Sequence, residues 1–188
     1  MYRLLTSLIR KRPRDLIKLC ALAARECRKN HRNKIGTSEF NAVFESYSQS
    51  RLVDTINEYR SELPEIERLL TNMKPNKMQK RTLEAYKFTR AQLLDKVDNI
   101  ITRGDFRFSN GNRATRDELC AFMYKINFLT ARKDSENKIV RKYFEENRYL
   151  MNRFSDFGFD WEIHPAYRWV LQPDNVIDVL NSLVEYIE

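Results

Sequence analysis

The chain has 188 residues, with 34 lysines and arginines against 26 aspartates and glutamates, and a formal charge of +8. An apolar content of 42% is close to that of folded globular proteins and excludes a wholly disordered chain. Only four glycines occur, and both common glycine-rich phosphate-binding motifs are absent, which excludes a self-contained nucleotide site of either type. This composition predicts a basic, helix-rich binding protein.

Positive charge is concentrated in two blocks of the sequence. Residues 1–34 contain 11 basic and 2 acidic residues, and residues 76–153 contain 18 and 10. Acidic stretches follow each block, at residues 35–75 and 154–188. Such a field can attract an anionic partner or dock the chain against its own acidic parts, and the sequence favours neither.

The expected location is the cytoplasm. No apolar run approaches the roughly 18 residues that a membrane span needs. The first ten residues lack the uninterrupted apolar stretch and cleavage site of a signal peptide. Three cysteines without framework spacing are typical of a reducing compartment.

Residues 1–75 predict an N-terminal helical bundle. Pro13 suits a first helical turn, apolar residues then recur at three- and four-residue steps, and Gly36 is expected to end this helix. Thr37 or Ser38 is expected to cap a second helix, interrupted at residues 48–50. Its predicted buried face comprises Phe40, Val43, Phe44 and Tyr47. A short helix after Pro64 is expected to complete the bundle.

The segment Lys74-Pro75-Asn76-Lys77 is the predicted boundary between two domains, 1–75 and 76–188. It is polar, contains a proline and lies where the charge changes sign. One long helix is expected to follow and to stop at Arg103-Gly104.

The last third predicts a winged-helix-like α+β domain with a small β-ribbon. Asn110-Gly111 predicts a turn, and Thr115 with Glu118 forms a capping box that begins a helix. Residues 139–144 and 159–163 have strand-like composition and could pair with each other. His164-Pro165 should begin a short helix, and Asp174 should cap a final one. The predicted fold class is therefore mainly α, with a helical bundle followed by this domain.

Three groups of residues are candidates for catalytic or metal sites. Cys27 and His31 lie one helical turn apart, but a buried apolar face is the favoured interpretation. His164 has no evident catalytic partner and is expected to be structural. An acidic group could resemble a metal site, but a solvated loop is favoured because no lysine is near. That group comprises Asp156, Asp160 and Glu162.

A run of basic residues interleaved with aromatics is the candidate nucleic-acid surface. Lysine and arginine supply phosphate contacts in winged helices, which place a helix in the major groove. Docking to a protein, or a solvated face, explains the same residues equally well. The candidates are Arg113, Arg116, Lys125, Arg132, Lys133, Lys138, Arg141 and Lys142.

Four short motifs, in three parts of the sequence, carry a resemblance to a known family. They are Arg12-Pro-Arg14-Asp-Leu-Ile17 followed by Glu45-Ser-Tyr-Ser48, then Tyr124-Lys-Ile-Asn-Phe-Leu129, and finally Trp161-Glu-Ile-His-Pro165. Together they resemble the C-terminal region of bacterial P-loop ATPases related to signal-transducing and KAP-type NTPases, several of them linked to phage defence. The resemblance implies a helical lid and a winged-helix-like part beyond an ATPase core. Asn127 departs from it, because the family pattern favours glycine there.

By this resemblance, Arg12 or Arg14 would sense nucleotide phosphates, a role that suits a planar, permanently charged guanidinium. ATP and Mg²⁺ would then be bound only through a core that this sequence lacks. The expected function is non-catalytic: binding a partner protein or nucleic acid and coupling that event to an ATPase core, in cis or in trans. A homo-oligomer is also compatible with the sequence.

Two other functions remain open. The first is a free-standing winged-helix regulator that binds DNA. The second is an unrecognised metal-dependent nuclease, although we expect no catalysis and no metal site in this chain.

Overall fold

A computed structural model describes residues 13–75, 83–135, 138–145 and 158–171. These residues form two compact units. The first contains residues 13–53 and 165–171, and the second contains the described residues between 54 and 164. The units meet after residues 53 and 164, and the predicted division after residue 75 falls inside the second unit.

The first unit consists of helices packed around one apolar cluster. Helix α1 spans Pro13–Lys29, helix α2 spans Thr37–Tyr59 and continues into the second unit, and a short later helix spans Pro165–Leu171. The predicted inner face of α2 is confirmed, because all four of its residues are buried. The cluster comprises Leu19, Ala23, Phe40, Val43, Phe44, Tyr47, Ala166 and Trp169.

Helix α2 is continuous, so the predicted interruption at residues 48–50 is wrong. Ser48 is fully buried, and its hydroxyl accepts a hydrogen bond from the Val170 backbone N–H at 3.2 Å. Buried residues recur in pairs every four positions from Glu39 to Ile56. Because a helical turn holds 3.6 residues, this spacing makes the buried stripe wind around the helix. A simple amphipathic pattern therefore predicts the first turns of α2 but does not continue along its whole length.

A residue with positive φ ends α1, earlier than the predicted stop at Gly36. His31 has φ 52°. Its N–H donates to the Arg28 carbonyl at 3.0 Å, and the Arg32 N–H donates to the Cys27 carbonyl at 2.9 Å. These two hydrogen bonds form a Schellman motif, which usually has glycine at the position that His31 occupies here.

The start of α2 also differs from the prediction that Thr37 or Ser38 caps it. The helix begins at Thr37, and the Glu39 carboxylate accepts a hydrogen bond from the Gly36 N–H at 2.7 Å. Glu39 therefore supplies the reach-back half of a capping box and satisfies a donor that helix formation leaves unpaired.

The second unit contains two helices with complete capping boxes. Helix α3 spans Ile66–Thr71, and a 3₁₀ turn at Leu83–Tyr86 leads into strand β1, Lys87–Phe88. Helix α4 then spans Arg90–Ile101 and helix α5 spans Arg116–Lys125. The predicted box of Thr115 and Glu118 is confirmed at α5, and Thr89 with Gln92 forms a second at α4. This second box explains why the predicted long helix is broken before residue 90.

Three more strands complete an antiparallel sheet. Strand β2 spans Leu129–Ser135, β3 spans Lys138–Lys142 and β4 spans Asp160–Ile163. The sheet order is β1-β4-β2-β3. Both predicted strand regions are confirmed, but their mutual pairing is wrong, because β2 lies between β3 and β4. Helix α6, Pro165–Leu171, begins at the predicted proline.

The fold class is mainly α, with a helical N-terminal region followed by an α+β part, as predicted. The chain order β1-α4-α5-β2-β4 with the sheet order β1-β4-β2 is that of a winged helix, and β3 extends the sheet beyond β2. The predicted turn at Asn110-Gly111 is present, with Gly111 at φ 83°. The predicted final helix from Asp174 lies outside the described residues, and so does Asp156.

Among the described residues, two that are not glycine have positive φ, and we expect substitution by glycine to have opposite effects at these positions. His31→Gly should raise the free energy of unfolding by about 1 kcal/mol, because glycine adopts this conformation without strain. Asn127→Gly should lower it, since Asn127 is buried and its side chain accepts from the Phe144 N–H and donates to Glu145. Urea denaturation of both variants measures the difference. Stabilisation by Asn127→Gly would contradict this account.

Candidate functional site

The three candidate cations on and beside α5 each contact a carboxylate. The Arg113 guanidinium lies 2.7 Å from Asp105, and the Lys125 ammonium lies 2.6 Å from Glu62. Arg116 lies 2.7 Å from Asp98, whose hydrogen bond and charge raise the pKa of this guanidinium. All three side chains are at least one-third exposed. An anionic ligand would have to compete with these carboxylates.

Two candidate arginines converge instead on a buried carboxylate. Arg132 on β2 and Arg141 on β3 are directly opposite each other in the sheet. Both donate to Glu162 on β4, and for Arg132 the distance is 3.0 Å. Asp134 also accepts two hydrogen bonds from Arg132, at 2.7 and 3.0 Å. Like charges opposite each other destabilise a sheet, so Glu162 neutralises a repulsive pair.

Glu162 is buried, so the expectation of a solvated acidic loop is wrong for this residue. The Glu162 side chain is 0% exposed and Arg132 is 3% exposed. Asp160, two residues earlier on the strand, is exposed. Sequence spacing cannot show that Glu162 is paired, because its partners lie 21 and 30 residues away.

The remaining sheet candidates are placed differently. Lys133 is exposed, and its ammonium lies 6.0 Å from the centre of the Phe159 ring. Lys142 is half-buried and pairs in the sheet with Ala131. The backbone of Lys138 pairs with Ser135 at the start of β3. Because side chains alternate between the two faces of a strand, Lys133 and Lys142 lie on the face opposite Arg132 and Arg141. The eight candidates therefore do not form one continuous surface.

The Arg-Pro-Arg-Asp motif divides between the surface and the interior. Arg12 lies outside the described residues. The Arg14 side chain is 60% exposed, whereas Asp15 is 0% exposed. A carboxylate oxygen of Asp15 lies 3.0 Å from Nη1 of Arg51, which is also buried. The acidic member of the motif thus joins α1 to α2, and the resemblance to the ATPases had assigned it no role.

An exposed basic stripe runs along the outer face of α1. Five residues at three- and four-residue steps share this face, and Ile17, the second of them, is 69% exposed. The stripe extends over about 21 Å, at 1.5 Å per residue. Among the residues that the structure describes, no carboxylate lies within 4.0 Å of Arg25 or Arg28. We call this the α1 stripe: Arg14, Ile17, Ala21, Arg25 and Arg28.

The groups weighed as catalytic sites occupy structural positions. Cys27 is buried, and its thiol donates to the Arg32 carbonyl at 3.0 Å. His164 is buried beside Tyr143, and its backbone N–H donates to the Phe128 carbonyl at 2.9 Å. Burial raises the pKa of the Cys120 thiol, which disfavours the reactive thiolate. Within the described ranges, no three His, Cys, Asp or Glu residues are grouped to hold a metal ion, and no helix has the length and apolarity of a membrane span.

Residues 2–56 match the model of a protein family described as a FunZ-associated C-terminal helical domain. The match contains α1 and most of α2 and leaves the whole sheet outside it. It fits the expected C-terminal helical region but does not extend to the P-loop ATPase family. No curated protein and no solved structure matches the chain.

Neutralising Glu162 should destabilise the protein strongly. Glu162→Gln leaves Arg132 and Arg141 facing each other without a full counter-charge, and we expect a loss of about 3 kcal/mol in the free energy of unfolding. Asp160→Asn, on the same strand but exposed, is the matched control and should change it by less than about 0.5 kcal/mol. Equal effects of the two substitutions in urea denaturation would show that the buried carboxylate has no special role.

Acid should weaken the start of α2 through Glu39. The hydrogen bond from the Gly36 N–H, with further bonds from Ser38 and Arg32, holds the pKa of Glu39 below its ordinary value of 4.5. A lowered pKa stabilises the folded state above pH 4.5, and this contribution is lost as pH falls through the lowered value. Glu39→Gln should therefore be less stable than wild type at neutral pH. The difference, followed by thermal melting, should shrink on acidification.

Proposed function

We propose that this chain is the non-catalytic coupling region of a P-loop ATPase and that the α1 stripe binds an acidic surface of the ATPase core. ATP and Mg²⁺ would be bound by that core, encoded upstream or as a separate protein. The observation that carries the proposal is the division of the Arg-Pro-Arg-Asp motif: Asp15 is buried against Arg51, and Arg14 is exposed on the stripe.

The arginines of the α1 stripe and its exposed apolar side chain support binding to a protein. A large apolar side chain that is 69% exposed between arginines is suited to a docking surface with a small apolar centre and a charged rim. Guanidinium groups form bidentate hydrogen bonds with carboxylates. The similarity of residues 2–56 to a FunZ-associated C-terminal helical domain supports the proposal, since the stripe lies within the matched residues.

Binding to the ATPase core is tested by reversing charge on the stripe. Any P-loop protein encoded beside this gene is co-expressed with the chain, and their affinity is measured by calorimetry. Arg25→Glu with Arg28→Glu should weaken binding at least about tenfold and remove most of its salt dependence. The control, Arg107→Glu with Lys133→Glu, makes the same charge change on the second unit and should leave affinity unchanged.

Two outcomes would contradict the proposal. One is the absence of any neighbouring ATPase that binds the chain. The other is equal loss of affinity in the stripe variant and the control variant, which would indicate only a general effect of net charge.

The winged-helix order of the second unit favours one rival, a DNA-binding regulator. Lys133 and Lys142 would then contact phosphates, because neither lies within 4.0 Å of a carboxylate among the described residues. Duplex binding should weaken on substituting both with glutamine, and less on substituting Arg113 and Arg116, which are already paired. Salt-dependent duplex binding with this pattern would favour the regulator over the coupling region.

A further inference from the structure

A groove of about 1090 Å³ lies within the second unit, and it shares with the sites above only residues of the sheet, Arg132 among them. One wall is formed by α4 and the residues just beyond it, and the other by the polar face of the sheet. Its volume is at the upper end of the range for small-molecule sites. Both walls carry charged side chains, so the groove suits a charged ligand rather than an apolar one.

The helical wall carries an excess of positive charge. Lys96, Asn99 and Arg103 line the groove at successive three- and four-residue steps, which place them in one row. Lys74 lines the groove beside them. Asp95 is the one acidic residue that α4 contributes to this lining, within the part of the chain that the structure describes.

Lys96 is the most constrained cation of this wall. It is half-buried, its ammonium donates to the Lys74 carbonyl at 2.7 Å, and it lies 6.0 Å from the centre of the Phe88 ring. Burial, with the nearby charge of Arg103, lowers the pKa of Lys96. No described carboxylate lies within 4.0 Å of Lys96 or Arg103. An anion between these two cations would relieve their repulsion and replace lost hydration.

The sheet wall is closer to electrical balance. Arg132 lines the groove, but Asp134 and Glu162 neutralise it. Asp160, also in the lining, is exposed and opposite Arg132 in the sheet. Lys87 on β1 also lines this wall, so its charges nearly cancel, and an anionic group belongs against the helical wall, where cations are in excess.

We propose that this groove binds an oligophosphate anion, with its phosphates against Lys96 and Arg103. Charge-assisted hydrogen bonds from an ammonium and a guanidinium are the usual phosphate contacts of proteins. The carboxylates of the sheet wall are placed to accept hydrogen bonds from hydroxyl or amino groups attached to the phosphates. A nucleoside would supply such groups, whereas inorganic tripolyphosphate would not.

Calorimetry on the full chain tests the site with ATP and with inorganic tripolyphosphate. Lys96→Gln and Arg103→Gln should each weaken binding by about tenfold, the scale of one charge-assisted contact. Arg107→Gln removes an exposed cation outside the groove lining and should leave affinity unchanged. Stronger binding of ATP than of tripolyphosphate would show that the nucleoside is also recognised, and equal binding would restrict recognition to the phosphates.

A proton-linked readout separates contact with Lys96 from a merely structural role. Burial lowers the pKa of Lys96, and a bound phosphate should raise it again, so binding in alkaline buffer should be linked to proton uptake. The binding heat should then depend on the ionisation enthalpy of the buffer. This dependence should disappear in Lys96→Gln and persist in Arg103→Gln.

Several results would overturn the proposal. One is that neither ATP nor tripolyphosphate binds. Another is that Arg107→Gln weakens binding as much as the groove variants do. A third is that the chain binds a single-stranded oligonucleotide but neither small anion. If Lys96→Gln melts at a much lower temperature, the proposal is tested by Arg103→Gln alone, because Arg103 is exposed and its substitution should not unfold the protein. Binding to the ATPase core is measured with separate variants on α1, so either proposal can fail without the other.

Discussion

The charged face of the sheet depends on one buried carboxylate. Glu162 accepts hydrogen bonds from Arg132 and Arg141, so residues of three adjacent strands share a single site. Without it, two arginines would oppose each other across β2 and β3, one of them almost fully buried. Desolvating these groups costs several kcal/mol per ion, which only complete pairing offsets. Arg132 pairs with Glu162 and also lines the groove, so the wall that the sheet contributes to the groove is polar.

Pairing with carboxylates also determines which lysines and arginines can contact an anionic binding partner. The +8 charge suggests an extended basic surface, but most candidate cations of the second unit already contact an acidic side chain. Among the described residues, cations that lack such a contact occur in separate places: Arg25 and Arg28 on α1, Lys96 and Arg103 in the groove, and Lys133 and Lys142 on the sheet. Electrostatic attraction depends on these uncompensated groups more than on total charge. The uncompensated charge of the described residues therefore does not form one continuous surface.

Local signals in the sequence predicted local structure well. The capping box at Thr115 and the helix start at Pro165 depend on residues three or fewer positions apart, and both are present. The end of α1 was missed because histidine rarely adopts positive φ, so His31 gives no signal comparable to glycine. Asn127, where the resembling family favours glycine, has φ 55°, a conformation that asparagine tolerates. The partners of Glu162 could not be predicted, because strand order brings them together and no local pattern encodes it.

The interior of the first unit explains why α1 can present a basic surface at all. Asp15 is turned inward and pairs with Arg51, which α2 carries on its buried stripe. The same carboxylate oxygen lies 3.9 Å from the Arg14 guanidinium, so Asp15 also offsets charge at the first turn of α1. Among the described residues, no carboxylate lies within 4.0 Å of Arg25 or Arg28, and the uncompensated charge of the α1 stripe is therefore in its C-terminal half. Asp15 thus stabilises the contact between α1 and α2 without neutralising the distal arginines of the stripe.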